Sequence, residues 1–326
     1  MKATENPNMA ARTGFPVTRW PLVILALFLI TTTSVQNVAA QPAAGSVVYL
    51  AGSGNSALNR RMMTLLEKEL GSSTVIRSFS AGQTSQDTTT PVIALGPEAF
   101  ARVRQEDKNV PILALLVDQS FIEGYAERSG GSVSGILYNP PLLRQAIAGQ
   151  VILPQATRVA MLARPDTVEL YEPVTEQLSA YGLKGKVFVV SSDEKLIPTL
   201  IRALNYGDFI LAAPDNNIYN TRTIKHILLT AYRRNRIVIG PSQAYVKAGS
   251  LASTYTPLTE IAELAASFIE QYRSDGRFPP PAYPDNFSIE LNQQVARSLN
   301  IPLPEKQEII RSVMERLADP EEAADE

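Results

Sequence analysis

Short apolar runs alternate with amphipathic segments along most of residues 47–299. Their consecutive aliphatic residues are typical of β-strands that are buried on both faces of a sheet. Between these runs, apolar residues recur every three or four positions, which predicts helices that cover the sheet. The pattern predicts strands at 47–50, 75–79, 92–95, 111–117, 132–138, 158–163, 187–190, 209–212, 237–239, 251–254 and 287–291, and helices at 57–70, 98–104, 142–150, 168–181, 194–204, 221–234, 258–273 and 293–299.

Strands that alternate with helices indicate an α/β fold with parallel sheets. The pair Pro140-Pro141 separates a first series of five strands from a second series, so we expect two lobes of similar design. The last strand and helix follow the long helix at 258–273, and we expect them to return to the first lobe. The predicted organisation is 1–40 a signal segment, 41–135 an N-terminal lobe, 136–256 a C-terminal lobe, 257–304 a crossover helix with the return to the first lobe, and 305–326 a C-terminal helix and acidic tail.

Residues 1–40 have the three parts of a secretory signal. Arg12 and Arg19 supply a basic region, 21–35 is an uncharged apolar run, and small residues stand at 38–40 before Gln41. This arrangement predicts export to the periplasm of a two-membrane bacterium. The apolar run is shorter than the ~20 residues of a membrane span. An uncleaved signal that tethers the protein to the inner membrane is the alternative.

Composition narrows the possible chemistry. The chain has no cysteine, which excludes disulfides and a lipid-modified cysteine, and its only histidine, His226, lies in a predicted helix. We therefore expect no metal site and no cofactor. The formal net charge of −2 gives no basic footprint for nucleic acid. The cluster Arg233, Arg234 and Arg236 lies at the end of a predicted helix, where positive charge favourably meets the helix dipole.

Two common enzyme classes lack their motifs. Gly52-Ser53-Gly54 follows a strand, but the third glycine and the acidic residue of a dinucleotide site are missing. A serine hydrolase would need His226 as its base and a G-x-S-x-G nucleophile elbow, which the sequence lacks. We therefore expect a protein that is not an enzyme.

Ligands of open parallel sheets bind beyond the carboxyl ends of the strands. Turns with small or polar residues occur at these places, where free helix N–H groups donate hydrogen bonds to anionic or carbonyl oxygens. The candidate ligand-binding residues in them are Ser53, Asn55, Gly96, Asp118, Arg164, Asp215, Asn216, Ser242 and Gln243. Helix capping explains the same residue types and stays open as an alternative for each turn. Aromatic residues near strand ends either line an apolar cleft or pack half-buried: Tyr138, Tyr219, Tyr245 and Tyr255.

The second half of the chain resembles the TrpX-like substrate-binding proteins of ABC transporters. The resemblance rests on the order of four segments: Ala212-Ala213-Pro214-Asp215-Asn216, then 236–240, then 246–253, and last 287–302 with Phe287-Ser288-Ile289-Glu290-Leu291-Asn292. It covers roughly residues 134–304, and the first lobe matches in outline. The resemblance implies a periplasmic binding protein-like fold, in which two Rossmann-like lobes enclose a ligand cleft.

The resemblance also implies a function and two residue roles. Asp215 would pair with a ligand ammonium group, and Asn216 would cap a helix or bind a carboxylate. The protein would capture a small solute, such as an amino acid or a similar polar or aromatic molecule, for an ABC permease in the inner membrane. At Pro241-Ser242-Gln243 the family's acidic pair is missing, and 135–140 replaces its small polar turn. These departures motivate an alternative, a relative that no longer transports and acts as a periplasmic sensor or accessory subunit.

Overall fold

The computed structural model describes residues 46–80 and 89–319. The predicted signal at 1–40 and most of the acidic tail lie outside these residues. The elements in chain order are β1 (Ser46–Ala51), α1 (Ser56–Leu70), β2 (Thr74–Ser78), β3 (Val92–Leu95), α2 (Pro97–Glu106), β4 (Ile112–Val117), α3 (Gln119–Arg128), β5 (Val133–Leu137), α4 (Leu142–Ile152), β6 (Arg158–Ala163), α5 (Glu172–Gln177), β7 (Lys184–Val189), α6 (Leu196–Tyr206), β8 (Phe209–Leu211), α7 (Ile224–Tyr232), β9 (Ile237–Ile239), α8 (Gln243–Ala248), β10 (Ala252–Tyr255), α9 (Leu258–Asp275), β11 (Ser288–Leu291), α10 (Gln293–Ser298) and α11 (Lys306–Ala318).

The strands form two sheets, one in each lobe. The first sheet has the order β2-β1-β3-β4-β5, and all of its strands are parallel. The second sheet has the order β11-β10-β9-β8-β6-β7 and is parallel except for β11, which pairs antiparallel with β10. The central strands are apolar at consecutive positions because helices cover both faces.

Each sheet has an apolar core on both of its faces. In the first lobe, α1 and α9 cover one face, and α2 and α3 cover the other. In the second lobe, α4 and α11 lie on one face, and α6 and α7 lie on the other. Each helix buries one side, as α1 does with Met62, Leu65 and Leu66. The Asn55 side chain caps α1 by accepting hydrogen bonds from the N–H groups of Ala57 and Leu58.

Within residues 46–80 and 89–319, the chain crosses between the lobes three times. The first crossover, residues 138–141, joins β5 to α4, and the second, residues 256–257, joins β10 to α9. After α9 the chain runs beside β5, where the Ala282 N–H donates to the Gly135 carbonyl at 3.1 Å and the Leu137 N–H donates to the Ala282 carbonyl at 2.9 Å. The third crossover, residues 283–287, then leads to β11.

The expected return of the last strand to the first lobe is wrong. Only α9 and the stretch beside β5 belong there, whereas β11 pairs with β10 of the second sheet. The α10 residue Ala296 is likewise buried in the core of the second lobe. The sequence of β11 indicates a strand but carries no information on its partner, which depends on where α9 releases the chain.

Three helices also differ from the predicted pattern. The helix expected at 168–181 is an α-helix only over α5, between two 3-10 turns, because Pro173 has no N–H to continue a helix from residue 169. Helices α3 and α8 were not expected: α3 fully buries only Ile122, and α8 has six residues. Helix α3 begins at Gln119, two positions after β4 ends at Val117, and therefore lies beside the cleft.

Candidate functional site

The carboxyl ends of the strands in both sheets lead toward the crossovers, which follow β5 and β10. The loops that follow the strands therefore lie between the lobes. Ligands of open parallel sheets bind at such loops, which we call the strand-end rule. Two of the cavities that the described residues form lie next to the crossovers. Each has walls from both lobes.

The first, which we call the carboxylate cavity, has a volume of about 450 Å³. Its walls come from α3 and the loop before it, from the first and third crossovers, and from the second lobe near α4 and α5. The lining residues are Asp118, Gln119, Ser120, Glu123, Asn139, Pro140, Pro141, Leu142, Leu143, Glu169, Leu170, Pro173, Val174, Gln177, Ala213, Pro214 and Tyr283. A volume in this range is that of a small-molecule site.

The second, which we call the tyrosine cavity, has a volume of about 620 Å³. The residues around it are Leu58, Arg61, Leu116, Tyr138, Gln243, Tyr255, Thr256, Pro257, Leu258 and Thr259. Leu116 has a φ of +60° where the pairing of β4 with β5 shifts register, which is a bulge next to the cavity. Bulges are common beside binding sites because they turn a side chain out of the regular alternation.

The first-lobe candidates mostly order their own loops. The Ser53 N–H and hydroxyl both lie 2.9 Å from the Asn59 Oδ1 atom, and the Asn59 amide donates to the Ser53 carbonyl at 2.8 Å. Asn55 caps α1. Gly96 has a φ of +85° and precedes α2, a conformation that favours glycine. None of these three residues lines either cavity.

Asp118 is the first-lobe candidate that lies in the carboxylate cavity. Its Oδ1 atom accepts the Phe121 N–H at 2.9 Å and the Ser120 hydroxyl at 3.0 Å, so Asp118 caps α3. The side chain is exposed, and it has further lone pairs for a ligand. Capping and ligand contact are therefore compatible at this position.

Arg164 ties three loops of the second lobe together. Its guanidinium forms an ion pair with Asp193 and donates to the carbonyls of Val190, at 3.3 Å, and Asn217, at 3.4 Å. The Arg164 side chain is only 15% exposed, whereas that of Asp193 is 73% exposed. The arginine does not line either cavity.

Asp215 is buried, with 4% of its surface exposed. Its Oδ2 atom accepts the Thr167 hydroxyl at 2.8 Å, and its Oδ1 atom accepts the Asn217 N–H at 2.8 Å. Burial, and next the Asp215 charge, raise the pKa of Tyr171. The structure thus gives Asp215 internal partners. Its role toward a ligand ammonium stays a prediction, as does the carboxylate role of the exposed neighbour Asn216.

The β9 turn contributes to the tyrosine cavity through Gln243, whose Nε2 atom lies 3.3 Å from the Glu290 carboxylate. Ser242 stands at the N-terminus of α8 and does not line the cavity. Of the tyrosines, Tyr138 and Tyr255 line it, whereas Tyr219 is buried in the second lobe with Tyr245 packed against it.

Several residues at the crossovers have no signal in the sequence pattern. The Gln145 amide bonds to both backbone groups of Thr254. The Arg144 guanidinium lies 4.6 Å from the Phe287 ring, and burial lowers its pKa. Burial likewise raises the pKa of Tyr283. These residues stand next to proline-rich turns, and only the three-dimensional meeting of the crossovers brings them together.

No protein-family model matches the chain, and no curated protein does. Solved structures do match. A ligand-free, open substrate-binding protein with adhesive properties from Clostridium difficile, CD0873, has a TM-score of 0.63 at 15% identity, over 80% of this chain and 96% of that one. The chain has the type I periplasmic binding protein fold.

Two further structures show the same fold. An ABC domain from Streptococcus pneumonia in complex with L-Trp has a TM-score of 0.53 at 16% identity, over 82% of this chain and 97% of that one. A conserved domain protein from Vibrio cholerae gives the same TM-score and identity, over 82% and 98%. The periplasmic binding protein fold predicted from the sequence is therefore confirmed. Within the described residues, no group of three or more His, Cys, Asp or Glu side chains is placed to hold a metal ion.

Proposed function

We propose that this protein captures a small molecule between its two lobes. The observation that carries the proposal is the carboxylate cavity, which lies at strand ends and takes its walls from both lobes and from two crossovers. A ligand there would contact both lobes at once, and hinge closure about the crossovers would then enclose it. Asp118 is the strand-end residue that we place in this site, and Gln243 would act from the tyrosine cavity.

We further propose that capture serves an ABC importer, with the protein exported to the periplasm and the permease in the inner membrane. The fold, the predicted signal at 1–40 and the resemblance in the second half support this role. Among the described residues, no helix combines the length and apolar character required to cross a bilayer. The solute would be an amino acid or a molecule of similar size.

A periplasmic sensor or accessory subunit is the second candidate. The observation that favours it is that Arg164 and Asp215 are already held by internal partners, Asp193 and Thr167. A relative that does not transport would retain the fold and the hinge. Its signal would be read by an envelope partner and not by a permease.

If the carboxylate cavity is the capture site, the variant Ser120→Trp should lose ligand binding. Ser120 is exposed in the carboxylate cavity, so an indole there would fill the space that a ligand needs. A thermal-shift panel of amino acids, purines, small organic acids and amines would identify a ligand of the unmodified protein. At a hundredfold excess over Kd, such a ligand stabilises the native state by about 2.7 kcal/mol. We expect Ser120→Trp to lose this stabilisation.

The matched control is Ser274→Trp, which places the same bulk on the exposed surface of α9 in the same lobe. This variant should keep the ligand-induced shift. Equal shifts in both variants would remove the carboxylate cavity from the proposal. A panel without any stabilising ligand would count against capture itself.

Mass spectrometry of the protein purified from cell envelopes distinguishes a cleaved signal from an uncleaved one. We expect a mature chain that begins at Gln41, because small residues precede this position. A chain that retains residues 1–40 would instead be membrane-tethered, which favours the sensor candidate over a freely diffusing receptor.

A further inference from the structure

The lining of the carboxylate cavity has charge of one sign. Asp118 and Glu123 come from the first lobe, and Glu169 comes from the second. All three side chains are exposed. No lysine or arginine is among the described residues that line the cavity. A ligand between the lobes would therefore meet carboxylates on two sides.

Within the described residues, these carboxylates have no ion-pair partner. Asp118 accepts hydrogen bonds from the Phe121 N–H and the Ser120 hydroxyl, both of which are neutral donors. The Glu123 Oε1 atom lies 3.4 Å from the Gln119 amide nitrogen. The charge of all three carboxylates is therefore available to a ligand.

The remaining wall is largely apolar. Leu143, Leu170 and Val174 line the cavity together with several prolines, and Leu170 is 48% exposed. The ring of Tyr283 adds an aromatic surface, and aromatic faces attract organic cations. A ligand that suits this wall has an apolar body as well as a positive charge.

One cation near the cavity works in the opposite direction. Arg144 acts electrostatically on Tyr283, but its guanidinium packs against the Phe287 ring and does not line the cavity. The carboxylates, in contrast, line the cavity itself and come from both lobes. The tyrosine cavity, unlike the carboxylate cavity, has a cationic side chain in its lining, that of Arg61.

We propose that the ligand of the carboxylate cavity is a small organic cation, a primary amine or quaternary ammonium ion with an apolar body. This inference rests on the proposed capture function and names its ligand class. As the lobes approach each other, the cation gains attraction from both sides and offsets the repulsion between Glu169 and the first-lobe carboxylates.

Four probes with one aromatic frame separate charge from shape: 2-phenylethylamine, its neutral isostere 2-phenylethanol, phenylalanine and 3-phenylpropanoate. Tetramethylammonium is a fifth probe without an aromatic ring. Calorimetric titration of the purified protein at neutral pH is expected to give an affinity for 2-phenylethylamine about tenfold above that for the alcohol, because only the amine is attracted by the carboxylates of both lobes; a tenfold difference corresponds to about 1.4 kcal/mol. 3-Phenylpropanoate should have the lowest affinity, and added salt should lower the affinity of the cations only.

Two conservative variants test the assignment to this cavity. Glu169→Gln should lower the affinity for 2-phenylethylamine roughly threefold to tenfold and leave that for the alcohol unchanged. Glu172→Gln is the matched control, because Glu172 is exposed three positions further along and does not line the cavity. It should leave both affinities unchanged.

The outcomes separate this inference from the capture function. Binding of phenylalanine or 3-phenylpropanoate without binding of either cation would overturn the inference and leave capture standing. Equal losses in Glu169→Gln and Glu172→Gln would also overturn it, as would an alcohol that binds as tightly as the amine. A third outcome is that neither cation binds the unmodified protein, whereas other probes bind it and lose their binding in Ser120→Trp. In that case the cavity is the capture site, and only the proposed ligand class is wrong.

Discussion

Replacing Gln145 with leucine is expected to lower the free energy of unfolding by about 3 kcal/mol, because buried polar groups lose their partners. The Gln145 Oε1 atom accepts the Thr254 N–H at 2.8 Å, and its Nε2 atom lies 2.9 Å from the Ser253 hydroxyl and 3.3 Å from the Thr254 carbonyl. The glutamine is 1% exposed, and Thr254 is fully buried. Leucine has a similar size but leaves the Thr254 N–H without an acceptor.

The position of the Gln145 contact explains why its loss should lower the free energy of unfolding by this much. β10 pairs with β9 only at Ala252 and Ile239, so the next backbone groups of β10 have no strand on that side. The Gln145 amide takes the place of that strand. It joins the helix after the first crossover to the strand before the second, at the point where the lobes meet.

Gln150→Leu is the control on the same helix. Gln150 donates one hydrogen bond, to the Tyr181 carbonyl at 2.9 Å, and within the described residues its Oε1 atom has no donor. Leucine removes that unsatisfied oxygen as well as the bond, so the expected loss is about 1 kcal/mol or less. Urea denaturation of both variants measures the difference. Equal losses would show that Gln145 has no special role at the crossovers.

The sequence pattern predicts most strands of both lobes because their residues are buried on two faces. Runs such as 92–95 and 111–117 have no polar position to suggest anything else. The pattern does not specify which sheet a strand joins, and the expectation that the last strand returns to the first lobe is therefore wrong. Pairing depends on the path that α9 imposes, which is a long-range property of the fold.

The strand-end rule locates the loops of the site better than it locates the side chains. Asp118 and Gln243 reach the two cavities, and the other candidates do not line them. The rule cannot show that Arg164 is paired with Asp193, or Asp215 with Thr167, because these partners are 29 and 48 positions away. Glu169 was not a candidate, since a predicted helix interior gives no hint that a side chain faces the other lobe.

Asp215→Ala is expected to lower the free energy of unfolding by about 3 kcal/mol, because hydrogen bonds to a charged group contribute about 1.5–3 kcal/mol each. The carboxylate accepts the Thr167 hydroxyl from the loop after β6 and the Asn217 N–H from its own loop. Thr167 in turn accepts the Arg164 N–H at 3.0 Å, so the change disturbs two loops of the cleft. Asp215→Asn keeps the shape and one acceptor and should lose about half as much.

Asn216→Ala is the matched control at the adjacent position. Its side chain is exposed, so the expected change is within about 0.5 kcal/mol. Urea denaturation and titration of the ligand should be run on the same samples. The two roles of Asp215 then separate: a loop-ordering carboxylate gives a large loss of stability, whereas a group reserved for a ligand ammonium gives a stable variant that no longer binds. The two internal hydrogen bonds favour the first result, and a variant with unchanged stability would contradict it.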